Sequence, residues 1–211
     1  MAPTKERLHS LMHLFIACLL KLSTAAPCLP DQASSLLQLK ASFIGDNLPS
    51  WQAGTDCCHH WEGVTCGMAL GRVISLDLGE FDLMSSRLDP ALFNLTSLRN
   101  LSLAFNDFSG ALLPASGFEQ LTDIIHLNLS DTNFGFQIPI GIACLKKLVT
   151  LDLSGNYDFY FEWPSFKTFI ANMSNPRELY TDQVVWVLYI RSYPPFILKA
   201  SVTYDDQLGI Q

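Results

Sequence analysis

The chain has 211 residues, a length suited to one domain, and 49% of them are hydrophobic while 16% are charged. Its formal net charge is −7, and it has no basic patch for phosphate contacts, so the composition excludes a nucleic-acid-binding class. The sequence has no Gly-x-Ser-x-Gly elbow, phosphate-binding loop, His-Glu-x-x-His helix or Cys-x-x-Cys pair. We therefore predict that the protein is not an enzyme and needs no cofactor or metal.

Residues 1–26 predict a secretory signal peptide. Lys5 and Arg7 precede an apolar run over residues 11–20, and small residues follow up to Ala26. The run is too short for a membrane span, so we favour secretion over a transmembrane anchor. The expected location is the extracellular space, and no transmembrane span is predicted in this chain.

Residues 27–70 predict an N-terminal unit that begins with a helix. Asp31 is expected to cap a helix over residues 32–43, because its carboxylate can accept from the first free backbone amides. Trp51 and Trp61 are expected to pack over the end of the hydrophobic column that follows.

This unit also holds four of the five cysteines that remain after signal cleavage. A secreted chain favours disulfides among them, and the residues alone leave three pairings open. A zinc site is the alternative, which the adjacent cysteines disfavour because zinc ligands are usually spaced two to four residues apart. The four are Cys28, Cys57, Cys58 and Cys66.

Leu-x-Leu pairs recur from residue 76 onward at intervals of 25, 26 and 24 residues. A period in the twenties is typical of a stacked solenoid, in which one copy cannot bury its leucines alone. Asn106 and Asn156 follow two of the pairs and are expected to bond turn backbone, whereas Thr132 stands at that place in the third copy. The first leucines of the four pairs are Leu76, Leu101, Leu127 and Leu151.

After Asn156 the pattern decays. Leu179 begins a fifth copy in which Thr181 replaces the second leucine. The apolar run over residues 184–190 is expected either to add an edge strand or to be a non-native end. The predicted division is a signal peptide at 1–26, a cap at 27–70, repeats at 71–182 and an unrelated tail at 183–211.

Strand residues that alternate with the leucines should point to the concave face of the solenoid. Gly79, Ala104 and Ser154 occupy the last such position in their copies. Cys144 is predicted to be a buried free thiol. The candidate binding residues are Asp77, Asn100, Ser102, His126, Asn128, Ser130, Thr150 and Asp152. Asn-x-Ser/Thr motifs, which predict N-glycans in a secreted protein, lie at Asn94, Asn100, Asn128 and Asn172.

The segments LRNLSLAFNDFSG and LNLSDTNFGFQIPIGIACLKKLVTLDLSGN resemble the plant-type extracellular leucine-rich repeat. The segment from CLPDQASSLLQLKASF to DCCHHWEGVTC resembles the N-terminal cap of that family. The resemblance covers about residues 28–182. It implies a right-handed α/β solenoid with parallel strands on the concave face and 3-10 or irregular segments on the convex side. It also implies disulfides Cys28–Cys57 and Cys58–Cys66.

The resemblance further implies a receptor-like protein of the plant defence type. Such a protein would recognise a protein, peptide or glycan ligand outside the cell, with a membrane co-receptor as a further partner. Full-length members are expected on the plasma membrane. The alternatives are a secreted inhibitor similar to polygalacturonase-inhibiting proteins and a truncated product without independent activity.

Overall fold

A computed structural model of the chain describes residues 9, 12–13, 26–109 and 111–156, together with strand segments at 159–160, 178–180 and 197–199. Most of the predicted signal peptide, the run at 184–190 and Asn172 lie outside the described residues. The described helices are α1 (Pro30–Ala41), α2 (Cys57–His60) and α3 (Ile140–Ala143), with 3-10 helices at Pro90–Asn94 and Phe118–Gln120. The described strands are β1 (Val64–Cys66), β2 (Val73–Asp77), β3 (Asn100–Ser102), β4 (His126–Asn128), β5 (Phe136–Gln137), β6 (Thr150–Asp152), β7 (Phe159–Tyr160), β8 (Glu178–Tyr180) and β9 (Ile197–Lys199).

One sheet runs along the described part of the molecule, in the order β1-β2-β3-β4-β6-β8-β9. All its neighbours are parallel except β1, which pairs with β2 in the antiparallel sense. The register places one leucine of each coil beside the leucine of the next. This is the stacked arrangement that the period predicts. The aligned residues are Leu76, Leu101, Leu127, Leu151, Leu179 and Leu198.

The interior is a continuous hydrophobic core that extends from the cap through the repeats. Leu76 and Leu151 are fully buried in it. Phe108 and Phe134 stack with their ring centroids 4.6 Å apart, and Phe43 of the cap reaches Phe108 at 6.3 Å. The two stacked rings fill the inside of successive coils, and Phe43 joins that row to the cap.

A second row of backbone pairing lies outside the main sheet, and the sequence reasoning missed it. β5 pairs with β7 in parallel, and Leu112 bridges to Gly135. Met84 bridges to Ile44 on one side and to Asp107 on the other. The coils are therefore joined by backbone hydrogen bonds along two lines.

Asn106 occupies the predicted position after the strand and joins two coils through its buried side chain. Its Nδ2 donates to the carbonyls of Leu78 at 2.7 Å, Leu103 at 2.8 Å and Ala104 at 3.2 Å. Its Oδ1 accepts from the backbone amide of Leu83 at 2.8 Å. The amide thus satisfies backbone groups that the strand ladder leaves unpaired, as the sequence predicts.

Thr132 stands where the third coil lacks the asparagine. Its hydroxyl lies 2.9 Å from the carbonyl of Leu129 and 2.8 Å from Oδ1 of Asn156, which belongs to the next coil. Asn156 in turn donates to the carbonyl of Leu129 at 2.6 Å. The shorter side chain is therefore tolerated because the asparagine of the following coil reaches back to its turn.

The cap helix α1 begins earlier than predicted. Leu29 is its N-cap without a side-chain bond, and Pro30 is its first residue. Asp31 therefore lies inside the first turn and accepts from Gln32 Nε2 at 3.1 Å, so the predicted capping role is wrong. Proline favours this start because its fixed φ suits a helix and its missing N–H needs no partner there.

Trp51 and Trp61 pack as the sequence predicts. Both belong to the continuous core, and their rings stack at 5.4 Å. Each indole also donates a hydrogen bond, from Trp51 Nε1 to the carbonyl of Glu62 at 2.9 Å and from Trp61 Nε1 to Thr55 Oγ1 at 2.7 Å. The pair covers apolar surface while leaving no indole N–H unsatisfied.

Asp56 holds the cysteine segment of the cap together. Its Oδ1 accepts from the backbone amides of Cys28 at 3.0 Å and Cys58 at 2.9 Å, and its Oδ2 meets His59 Nδ1 at 2.9 Å. Burial disfavours the charged carboxylate, but these bonds outweigh it and hold the pKa below the ordinary 3.8. The charged form of Asp56 is therefore part of the folded cap.

Beyond the clear repeats, the strand that follows β8 is β9 at Ile197–Lys199, paired in parallel with β8. The ladder thus continues past residue 182, inside the segment that the sequence predicted to be unrelated to the repeats. Leu198 was not recognised because no second leucine follows it at the repeat spacing. The predicted edge strand at 184–190 lies outside the described residues.

We predict that Asn106→Ala lowers the free energy of unfolding by about 3 kcal/mol, because it leaves a buried donor and several acceptors unpaired. Urea denaturation of unglycosylated protein measures this loss. Asn100→Ala is the matched control, since Asn100 is exposed on the same sheet, and we expect a change within about 0.5 kcal/mol. Equal losses in the two variants would contradict the role of the buried amide.

We also predict a pH dependence from Asp56. Because its folded-state pKa is depressed, its contribution is complete above the unfolded value near 3.8 and is lost as the pH falls through the lower folded value. The stability difference between the wild type and Asp56→Asn should therefore be constant at neutral pH and shrink under strong acid. Denaturation midpoints across that range measure it, and a difference that stays constant in acid would refute the prediction.

Candidate ligand-binding surface

The concave face presents two rows of side chains across β2, β3, β4 and β6. The register sets Ser75, Asn100, His126 and Thr150 side by side in one row, and Asp77, Ser102, Asn128 and Asp152 in the other. Neighbouring strands are about 4.8 Å apart, so each row spans about 14 Å. Asp77, Asn100 and His126 are exposed, while Ser102, Asn128, Thr150 and Asp152 are half-buried. The sequence reasoning therefore placed seven of its eight candidates on one surface.

Three side chains of the second row also shape the ends of their strands. Oδ1 of Asp77 accepts from the backbone amide of Gly79 at 3.2 Å, and Oδ1 of Asn128 accepts from that of Ser130 at 2.9 Å. Asp152 repeats the pattern with the amide of Ser154 at 3.0 Å. These are side-chain turns of the kind that Asp and Asn favour. One oxygen of each residue is thus committed to the fold, and the second carboxylate oxygen of each aspartate remains for a ligand.

His126 and Thr150 form the clearest polar pair in the first row. His126 Nδ1 lies 3.1 Å from Thr150 Oγ1 on the neighbouring strand. The imidazole is exposed, so its second nitrogen can contact a bound ligand. The pair is a preformed hydrogen-bonding site between β4 and β6.

Ser130 does not belong to this surface, which corrects the sequence prediction. Ser130 is 4% exposed and Ala104, at the same position of the preceding coil, is 3% exposed. The parallel pairing continues past the strands at this point, because Phe105 N donates to the Ser130 carbonyl at 3.1 Å and Asp131 N to that of Ser154 at 2.8 Å. Simple alternation therefore does not expose this position in these two coils.

The turn that follows Ser130 has its own repeated conformation, which the sequence analysis did not detect. Glu80, Phe105, Asp131 and Gly155 stand at the same place in four successive coils, and all have positive φ, between 49° and 69°. We call these four residues the strand-end rim. Its only sequence signal is the position directly after the third outward residue of each strand.

The cap cysteines form two disulfides, Cys28–Cys57 and Cys58–Cys66, the pairing that the family resemblance implies. The sulfurs of Cys28, Cys57 and Cys58 lie within 4.8 Å of one another. All three are engaged in disulfides, so they are not available as thiolate ligands for zinc.

Cys144 is a free and exposed thiol, so the predicted burial is wrong. It is the C-cap of α3 and follows Ile142 and Ala143, which fill the interior of that coil. Because those residues take the inward positions, Cys144 faces outward.

The described glycosylation motifs differ in exposure. Asn94 and Asn100 are exposed, and Asn94 lies beside α1, with its Nδ2 3.4 Å from Ser35 Oγ. Asn128 is half-buried in the middle of the concave face. Asn172 lies outside the described residues.

The fold and cap match known proteins. Residues 29–67 match the family described as leucine rich repeat N-terminal domain. The chain is 33% identical to receptor-like protein 6 from Arabidopsis thaliana, an alignment covering 74% of this chain and 18% of that protein. It is 34% identical to receptor-like protein Cf-9 from Solanum pimpinellifolium, which covers 79% of this chain and 22% of that protein. The solved ectodomain of the Arabidopsis receptor kinase HAESA, in complex with an IDA peptide hormone ligand, aligns with a TM-score of 0.53 and 27% identity over 72% of this chain and 28% of that one.

These likenesses and the parallel sheet confirm the predicted class, a leucine-rich-repeat solenoid with a disulfide-bonded N-terminal cap. The chain is similar to plant receptor-like proteins over about three quarters of its own length, and it spans 18% and 22% of the two relatives named above. Among the described residues, no helix has the length and apolar character needed to cross a membrane.

We predict that Asn94 and Asn100 carry N-glycans when the chain passes through a plant secretory pathway, and that Asn128 is modified to a lower degree. The first two side chains are exposed, whereas a glycan on Asn128 would have to leave a half-buried site whose Oδ1 is already hydrogen-bonded. Mass spectrometry after enzymatic deglycosylation in heavy-oxygen water gives the occupancy of each site. Full occupancy at Asn128 with none at Asn100 would contradict this order.

Proposed function

We propose that this chain is the ligand-recognising part of an extracellular receptor-like protein and that it acts by binding rather than by catalysis. The observation that supports this function is the concave face, where polar side chains from four strands stand in register on a parallel sheet. A glycan at Asn100 would occupy the β3 part of this face and leave the His126–Thr150 pair of β4 and β6 for the ligand. The continuous core beneath fixes the positions of those strands. Such a surface loses little conformational freedom when it binds.

The ligand class that we propose is an extended peptide or a protein segment. His126 with Thr150 offers donors and acceptors between two strands, and Asp77 and Asp152 each keep a carboxylate oxygen for backbone or side-chain donors of the ligand. The peptide hormone in the HAESA structure supports this class, since that ectodomain shares the fold of this chain. A glycan ligand fits the small polar side chains less specifically.

We further propose a role in plant signalling or defence, with a membrane co-receptor as partner. The support is the similarity to receptor-like proteins of two plants. The proposed organisation is a signal peptide at 1–26, a cap at 27–70 and repeats from residue 71 onward. We infer that the concave face lies outside the cell, where the two cap disulfides are stable.

A displayed library of random linear peptides, selected on the immobilised disulfide-bonded chain, tests this function. Binding of a recovered peptide should weaken by at least about tenfold in His126→Ala or Thr150→Val, because each removes a polar contact at the centre of the surface. Isothermal titration of purified variants measures the affinities.

Thr122→Val is the matched control, because Thr122 is exposed on a return segment away from the strands and should leave binding unchanged. The proposed function would be overturned if no peptide bound saturably. It would also be overturned if the recovered peptides bound both concave-face variants as tightly as the wild type.

A further inference from the structure

Phe105, in the strand-end rim, has an exposed side chain and an unfavourable backbone conformation. Its side chain is 56% exposed, and its ring contacts no other aromatic ring among the described residues. Its φ is 55°, a left-handed conformation that bulky side chains rarely adopt. The corresponding position holds Gly155 two coils further on, and glycine has no strain there. Neither packing nor backbone geometry therefore accounts for an aromatic residue at this site.

The neighbours of Phe105 in the rim are carboxylates. Glu80 N donates to the Ala104 carbonyl at 3.0 Å and Phe105 N to that of Ser130 at 3.1 Å, so the backbones of Glu80, Phe105 and Asp131 run side by side. In a parallel ladder this places neighbouring residues about 4.8 Å apart. Phe105 thus stands between two acidic residues in the backbone ladder.

The two carboxylates differ in availability. The side chain of Glu80 is exposed and makes no hydrogen bond or ion pair with any other described residue. The carboxylate of Asp131 lies toward Gly155, since Oδ1 stands 2.2 Å from the point where a Cβ on that glycine would lie. Glu80 is therefore the group that can pair with a ligand, while Asp131 adds negative potential on the other side.

A third acidic residue follows Phe105 closely in the chain. Oδ1 of Asp107, two residues beyond Phe105, accepts from the hydroxyl and the backbone amide of Ser109 and from Asn133 Nδ2. These bonds lower the pKa of Asp107, so its charge persists into moderate acid.

We propose that Phe105 and Glu80 form a subsite for one arginine side chain of the peptide ligand. A guanidinium group lies flat on an aromatic face through a cation–π contact, and its N–H groups lie in the same plane for a carboxylate at the ring edge. An apolar ligand side chain would instead desolvate Glu80 without a partner. An acidic one would be repelled by the three carboxylates and by the net charge of −7.

The subsite is continuous with the proposed binding surface, on which this inference rests. Ser102 of β3 lies in the second concave row, and Phe105 follows it by three residues, a separation of at most about 11 Å along the chain. A peptide that crosses the strands can therefore place one side chain over the rim. The rim then selects ligands for a positive charge at that position.

Nuclear magnetic resonance of the isotope-labelled, disulfide-bonded chain tests the subsite. The probe is acetyl-Gly-Arg-Gly amide, and the matched probe replaces arginine with citrulline, which has the same shape without the charge. The arginine probe should shift the amide signals of Phe105 and Glu80 in a saturable manner, and the citrulline probe should bind at least about tenfold more weakly.

Two variants remove the ring and the charge separately. Phe105→Asn keeps the net charge and suits the left-handed backbone, so it should fold at least as stably while binding the arginine probe at least about tenfold more weakly. Glu80→Gln should weaken binding similarly. The controls are Leu112→Ala, whose side chain is 58% exposed on another face, and Glu62→Gln in the cap, which should bind as the wild type does.

The inference is overturned if Phe105→Asn binds the arginine probe as tightly as the wild type, or if citrulline binds equally well. It is also overturned if the shifts appear at Glu62 and other scattered carboxylates instead of the rim. Failure here is distinguishable from failure of the proposed function. Peptides selected on the concave face would still shift His126 and Thr150 if only the arginine subsite were wrong.

Discussion

Each coil of this protein depends on its neighbours, because the leucines of a single coil can be buried only when another coil lies against them. The register that pairs Leu101 with Leu127 and Leu127 with Leu151 meets this requirement for the side chains. Asn106 and Asn156 meet the same requirement for the backbone, since each amide reaches a carbonyl of the preceding coil. Burial and polar satisfaction thus favour the same coil-to-coil alignment, which is why one register dominates.

The cap shows how the start of such a column is closed. Trp51 and Trp61 cover the core, and Lys40 Nζ donates to the carbonyls of Leu48 at 2.7 Å and Trp51 at 3.3 Å, fastening α1 to the tryptophan segment. The disulfides and Asp56 hold the short helix α2 against Cys28 and β1. In the cap, disulfides and hydrogen bonds thus provide the stabilisation that a neighbouring coil provides in the repeats.

The sequence predicted the features that depend on periodic burial. Leucine spacing gave the strands and their order, and the residues Asn106 and Thr132 indicated the regular and irregular turns. What it could not predict depends on backbone geometry that spacing does not record. Pro30 begins the helix earlier than expected, Ser130 is buried where alternation would expose it, and the C-cap position exposes Cys144.

The candidate binding surface was likewise predicted only in part from the sequence. Seven of the eight concave residues lie where alternation places them, because alternation along a strand is a local property. The strand-end rim was missed because Glu80, Phe105, Asp131 and Gly155 share a conformation and not a residue type. Their shared positive φ is a property of the backbone and has no counterpart in the residue pattern. The backbone register also continues from β6 to β8.

The antiparallel strand β1 has an effect on how copies of the molecule can meet. A parallel sheet edge is a template for another parallel strand, so two exposed edges would let copies join head to tail into a fibre. β1 is only three residues long, and its register shifts between Thr65 and Cys66, so its outer edge offers a short and irregular template to an incoming strand. This irregular edge disfavours head-to-tail association at the cap end of the sheet.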